Sequence, residues 1–242
     1  TIAIQNGNLT GLAPVAPGID PTKRYIFSGR SLAEAVHNDA AYQLFYQAAL
    51  ILSALGALPN PGFPVYPNQV GFITSFGGLA VLCALAEVTE LALEAGWYNK
   101  WQLYRKLRPE VFGLWVHDVK NGIVTNVNNF DISNVALNNG ILADIFGLYG
   151  NYTLPLCYRE ASPNHPSSPA GHACIAGACC TILKIYFDCE KPWASLSGVV
   201  SGALSNSIAG PVQADATGAS LVSYTGSDAG ALSIFGEINK LA

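Results

Sequence analysis

The stretch His165-Pro-Ser-Ser-Pro-Ala-Gly-His172-Ala-Cys174 constrains the fold of this chain more than any other. Its two prolines oppose regular helix up to Pro169. An apolar run then continues to near Asp188, so the sequence predicts a helix from about Pro169 to about Asp188. A helix that opens at Pro-x-Gly-His presents unpaired backbone N–H groups and the positive end of its dipole to whatever lies in front of it. That makes an anion site with an imidazole beside it. Upstream, Lys100 and Arg108-Pro109 offer two more cations. Lysine, arginine and a Gly-His helix start together point to a phosphate-like oxyanion and to acid/base chemistry on it.

The chain has 242 residues, enough for a sizeable core in one domain. Half of it is hydrophobic and 12% is charged, which implies extensive burial inside one protein or against another. The net charge of −4 gives no reason to expect nucleic acid as a partner, so any anion affinity must be local to a site. Cys83, Cys157, Cys174, Cys179, Cys180 and Cys189 form no CxxC pair and no zinc-like spacing. Cys174, Cys179 and Cys180 fall on one predicted helix and read as small core residues. The chain starts at Thr1 with no methionine and no secretory leader, so a processed terminus or an excerpt is expected. The richest apolar helix, Leu79 to Trp97, carries Glu87, Glu90 and Glu94, so no membrane span is expected and the chain reads as soluble. Secreted, cell-wall and periplasmic locations all stay open.

Residues Thr1 to Lys23 are rich in Gly, Pro and Asn and read as an extended lead-in. Ser31 and Glu34 have the spacing of a capping box, predicting a helix from there to Leu55 with a stop at Gly56. Its apolar and aromatic face is Leu32, Val36, Tyr42, Phe45, Ala49 and Leu52. Pro59 to Thr74 is a Pro/Gly-rich loop. A long helix is expected from Gly78 to Leu107, ended by Pro109. Gly113 to Pro155 reads as long loop with short helices, and Ser195 to Ser227 as loop. A last helix is expected from Asp228, still running at Ala242. Strand-like alternation is nearly absent, so the fold class is mainly α.

Lys100 and Arg108 stand eight positions apart, which on an ideal helix places them about 80° apart around the axis. They converge on one ligand only if Arg108 sits at the frayed end before Pro109. The competing reading is a solvated basic face, since Arg105 and Lys106 lie between them. An arginine fork and a lysine point charge suit a tetrahedral oxyanion. At the helix start, the dipole disfavours an imidazolium on His172 and a bound anion favours it, which suits proton transfer. A capping or core histidine is the alternative. His165 is either part of the site or a surface loop residue. His37 and His117 read as structural, and Trp97 and Trp101, one turn apart, as core.

The order Lys100-Trp-Gln-Leu-Tyr-Arg-Lys-Leu-Arg108-Pro109-Glu110, followed by His165-Pro-Ser-Ser-Pro-Ala-Gly171-His172, resembles the vanadium-dependent haloperoxidases, best their algal and cyanobacterial bromoperoxidase branch. Arg30 to Asp39 with Tyr42-Gln43, Gly71-Phe72, and Glu237 to Ala242 agree with it. The resemblance covers most of Lys23 to Ala242. It implies a helical bundle of the vanadium haloperoxidase/acid phosphatase superfamily type, with vanadate as cofactor. Hydrogen peroxide is then activated and bromide oxidised to a hypohalous species that halogenates small organic nucleophiles, with no change in the oxidation state of vanadium. By the same resemblance, Lys100 and Arg108 bind vanadate oxygens and Lys100 also polarises the peroxide. Gly171 donates its backbone N–H. His172 is the acid/base, and His165 and Trp97 line the halide pocket. A homo-oligomer is expected.

Two departures accompany the resemblance. Ala170 stands at a vanadate-contacting position where the family usually has a serine hydroxyl, with Ser167 or Ser168 as the nearest substitute donor. The family's third motif, with a second arginine and the histidine that bonds vanadium, normally follows Glu-x-Asn-Lys-Leu-Ala. Residues 24–242 therefore read as a catalytic-core portion truncated before that motif, with the metal-ligating histidine expected beyond Ala242. The alternatives are an acid phosphatase of the same superfamily, in which the lysine typically lies one residue closer to Arg-Pro, and a non-catalytic helical subunit that has lost its cofactor.

Overall fold

The structure is a computed structural model. It describes residues 24–29, 31–32, 35, 41–63, 77–125, 131–156, 161–196 and 211–242. The lead-in, Glu34, Val36, His37, Gly71-Phe72 and Cys157 lie outside those residues, and so does 197–210, most of the first half of the expected Ser195 to Ser227 loop. The described elements are mostly helical, as the sequence predicts. No described helix is long and apolar enough to cross a membrane. The chain divides into two compact units, 19–97 with 169–242, and 1–18 with 98–168.

The first unit is built on three longer helices, α1 (Gln43–Ala54), α2 (Gly78–Trp97) and α6 (Gly171–Tyr186). α6 is the apolar run after His172. It buries Ile175, Ala176, Cys179, Cys180 and Leu183, two adjacent rows of one helix, so it is covered from more than one side. α2 buries Val81, Leu85 and Thr89 at a spacing of four and turns Glu87, Glu90 and Glu94 outward. The helices meet through small groups. The Thr89 hydroxyl donates to the Leu85 carbonyl at 2.8 Å and lies 3.3 Å from Cys179 Sγ. A Cβ on Gly96 would come to 3.4 Å from Cys174 Sγ. Phe45, Ala49, Leu52 and Leu55 close the core from α1, and Ile234 and Ile238 from α7 (Ile234–Asn239). Cys179 and Cys180 are thus core residues, their thiols pushed up by burial, while Cys174 is half-buried.

Several boundaries differ from the sequence reading. The capping box sits one turn upstream. Ser28 Oγ accepts the Ser31 N–H at 3.2 Å and Ser31 Oγ accepts the Ser28 N–H at 2.9 Å, so Ser31 is the third helical residue and not the cap. Serine has replaced glutamate as the returning acceptor, which hid the motif. Leu32 and Tyr42 are exposed, whereas Phe45, Ala49 and Leu52 are buried. The predicted stop holds. Gly56 has φ +78°, its N–H bonds to Ser53 O at 3.1 Å, and the Ala57 N–H bonds to Leu52 O at 2.9 Å, a Schellman ending. Strands β1 (Val212–Ala214) and β2 (Leu221–Ser223) pair antiparallel within the stretch read as loop, with Gln213 opposite Val222. Their turn is closed by Asp215, whose carboxylate accepts from Thr217 and Ser220. The last helix starts at Ile234, capped by Ser233 Oγ, and has Lys240 as its C-cap, so it neither begins at Asp228 nor runs through Ala242.

The second unit holds a π-helix, Tyr98–Tyr104, then α3 (Pro109–Lys120), α4 (Asn134–Leu137) and α5 (Gly140–Tyr149). Val116, Ile132 and Leu137 form its small core, with Trp115, Leu142 and Tyr152 against it. Gly113 lets the chain close. A Cβ there would lie 2.9 Å from the backbone N of Leu154 and 3.2 Å from its Cβ. α3 runs well into the stretch from Gly113 that reads as mostly loop, because its Val111, Trp115, Val116 and Val119 still recur at helical spacing.

Candidate active site

The long helix expected through Leu107 changes character where the chemistry begins. α-helix gives way to π-helix at Tyr98, and the Arg105 N–H bonds to Lys100 O at 3.0 Å, five residues back. Arg105 has φ +43° and turns its Nε onto the Trp101 carbonyl at 2.8 Å, ending the helix. Angles computed for an ideal α-helix therefore do not apply between Lys100 and Arg108. Nor is Arg108 a frayed helix end. It is the extended N-cap of α3, at φ −79° and ψ 147°, with Pro109 at the first helical position.

Lys100 is only 5% exposed, unlike a residue on a solvated basic face. Its Nζ lies 3.4 Å from His165 Nδ1. The same Nδ1 lies 2.8 Å from Pro166 O. A carbonyl oxygen only accepts and an ammonium only donates, and Nδ1 has one in-plane position. The shorter contact is the hydrogen bond, so Nδ1–H donates to Pro166 O and the imidazole's open atom is Nε2. The ammonium approaches the ring closely without donating to it.

Arg108 meets the same loop. Its Nε and Nη2 converge on Glu110 Oε1 at 2.9 and 2.8 Å, and its Nη1 and Nη2 reach His165 O and Ala161 O at the long distance of 3.5 Å. Glu110 sits in the first turn of α3, where the helix dipole favours a carboxylate. Burial raises its pKa, but its own backbone N–H, Arg108 and Ser162 outweigh that and hold it below the usual glutamate value. Ser167 fixes the loop from the other end. Its N–H bonds to Lys106 O at 3.0 Å and its hydroxyl donates to Leu107 O at 2.8 Å. Ser167 is therefore a loop anchor. His165 is not a surface residue. It is the shared contact of Lys100 and Arg108, with Lys100, Arg108 and Glu110 summing to a charge of +1.

Ala170, Gly171 and His172 belong to the other unit. Ala170 is the N-cap of α6 and gives it no side-chain hydrogen bond, and Cys174 N–H is the first to bond back, to Ala170 O at 3.1 Å. A Cβ on Gly171 would meet only Leu93 Cδ2, at an ordinary 3.6 Å. Packing does not demand glycine there, and its absence of a side chain leaves the helix start open to close approach by a ligand. His172, second in the helix, is exposed. Trp97 and Trp101 are 53% and 45% exposed, so neither is the core residue that their spacing predicts. His117 is structural as expected, its Nδ1 accepting the Tyr152 N–H at 3.2 Å.

Among the described residues, no group of three or more His, Cys, Asp or Glu side chains is gathered as a cation site. Within their own unit, Lys100 and Arg108 are donors, which fits an oxyanion. The feature the sequence reading missed is Glu110 as the partner of Arg108. Its signal was available, a carboxylate two residues after the arginine in the first turn of a Pro-initiated helix.

No protein-family model matches the chain. It is 34% identical over 251 residues to a vanadium-dependent bromoperoxidase of Ascophyllum nodosum, covering 99% of this chain and 41% of that protein. It is 36% identical over 189 residues to a vanadium-dependent bromoperoxidase of Corallina pilulifera, covering 70% of this chain and 31% of that one. The homohexameric structure of the second vanadate-dependent bromoperoxidase of Ascophyllum nodosum matches with a TM-score of 0.70 and 26% identity, over 90% of this chain and 38% of that chain. The chain thus spans 31% to 41% of the length of these relatives. In sequence and in fold, this is a haloperoxidase-like protein, similar to part of a vanadium-dependent bromoperoxidase.

Proposed function

We propose that this chain supplies part of the oxyanion site of a vanadate-dependent bromoperoxidase, which oxidises bromide with hydrogen peroxide to a hypohalous species. The observation that carries the reading is the buried Lys100 ammonium beside the same histidine whose carbonyl faces Arg108. Two cations that meet one Pro-bounded loop suit a negative ligand there. Lys100 and Arg108 would hold vanadate oxygens by charge-assisted hydrogen bonds, and the family resemblance gives the Gly171 N–H as a further donor. Vanadate, when bound, activates hydrogen peroxide toward halide. Lys100 would hold its charge beside the oxyanion, and the resemblance gives His172 as the group that would accept and return a proton. The family resemblance gives His165 and Trp97 as the lining of the halide pocket, with small organic nucleophiles taking the oxidised halogen.

The relative in the structural match is a homohexamer, and we extend self-association to this chain. The apolar helix α5 supports it, since it buries no residue and leaves Ile141 63% and Leu148 73% exposed. The test of function is bromide oxidation, followed by halogenation of a phenol dye, in the full-length protein with vanadate and peroxide. Activity that needs both, and that falls by at least about a hundredfold in His172→Ala, is expected from loss of the acid/base. Hydrolysis of phosphate esters without bromide oxidation would overturn the reading.

A further inference from the structure

We infer that Glu110 is a positioning residue for Arg108, holding its guanidinium in the orientation that meets the oxyanion. The inference rests on the reading that Arg108 binds one. Arg108 is set on extended backbone after a non-helical segment, so its long side chain is not oriented by a helix. Glu110 supplies the orientation. One carboxylate oxygen, Oε1, takes both Nε at 2.9 Å and Nη2 at 2.8 Å, clamping one edge of the planar fork. The opposite edge is left with carbonyl contacts at 3.5 Å, which are weak, and so stays available to a stronger acceptor.

The carboxylate is an expensive way to do this. Its other oxygen, Oε2, is buried and has no hydrogen-bond partner among the described residues, and the side chain is 12% exposed. A negative charge next to an anion site also weakens it by repulsion. A group that is desolvated, half satisfied and of the wrong sign for the ligand is retained by what it does to its neighbour. A fork locked before binding loses less rotamer entropy when it captures an anion.

The test uses Glu110→Ala, Glu110→Gln, Glu110→Asp and Arg108→Ala in the full-length protein, each titrated calorimetrically with orthovanadate and, separately, with inorganic phosphate. Thermal melts check the fold. Arg108→Ala is expected to lose more than about tenfold in affinity for both anions. Glu110→Ala is expected to lose about tenfold although it removes a repelling charge, and Glu110→Gln to recover most of that loss, because its amide oxygen accepts the same two N–H groups. Glu110→Asp keeps the charge but is one methylene short, and is expected to lose affinity as Glu110→Ala does. If Glu110→Ala does not fold, the comparison of Gln with Asp decides. Affinity in Glu110→Ala equal to or above that of the parent overturns the inference, and so does a tighter Asp than Gln variant. Undiminished binding by Arg108→Ala overturns the oxyanion reading itself, and this inference with it.

Discussion

Replacing Lys100 with methionine separates a ligand-binding cation from a structural one, because the two predict opposite signs. The ammonium is 5% exposed, and its Nζ lies 3.4 Å from His165 Nδ1. Burying a charge costs several kcal/mol, and a cation kept for its ligand and not for the fold has that cost relieved when an apolar side chain replaces it. Methionine fills nearly the same space. If Lys100 serves the ligand, Lys100→Met should leave the ligand-free chain as stable as the parent or more so, with the melting temperature rising about 2–4 °C per kcal/mol for a chain of this size. Oxyanion affinity moves the other way. Losing a charge-assisted bond to a buried anion costs about 2–3 kcal/mol, or roughly 30- to 150-fold. Thermal unfolding by circular dichroism and calorimetric titration with orthovanadate read the two halves. A variant that melts several degrees lower and binds vanadate as the parent does would show that Lys100 serves the fold, and the reasoning would fail.

Gly171→Ala should leave the melting temperature unchanged, since the added methyl meets only Leu93 at 3.6 Å, while vanadate affinity measured by titration falls; a destabilised variant of normal affinity would make Gly171 a packing residue. Gly113→Ala should do the reverse, destabilising by about 1–3 kcal/mol in urea unfolding, because its methyl would press on the Leu154 backbone at 2.9 Å. Glu110 is held below its usual pKa in the fold, so its contribution to stability is complete above the ordinary glutamate range and is lost as pH falls through the lowered value. Urea midpoints measured from neutral to acid pH should accordingly fall less steeply in Glu110→Gln than in the parent; parallel curves would count against the ion pair.

Much of this fold was legible because its helices announce themselves locally. The apolar rows of α2 and α6 and the glycine stop at Gly56 follow from periodicity and backbone sterics alone. What escaped depended on residues distant in sequence or on motifs in unusual spelling. The cap at Ser28 uses serine where glutamate is usual. The β1–β2 hairpin is short and exposed, held by the Asp215 turn more than by an apolar face, so no alternation marks it. The π-helix at Tyr98 leaves the apolar pattern nearly intact while rotating everything after it, which is why Lys100 and Arg108 could be named as a pair but not placed. Trp97 and Trp101 were read as core from spacing that the π-helix breaks. Glu110 was visible as a letter, but its bond to Arg108 appears only when α3 starts at Pro109 and not later.

The account stands most directly on whether this chain gathers an oxyanion at Lys100 and Arg108. Titrating the full-length protein and its Arg108→Ala variant into orthovanadate and following the vanadium-51 resonance tests it in one measurement. The expected result is loss of the free-vanadate signal with the parent, reversed by excess inorganic phosphate, and little change with Arg108→Ala. A free-vanadate resonance that the parent leaves untouched, or that both proteins alter equally, would contradict it.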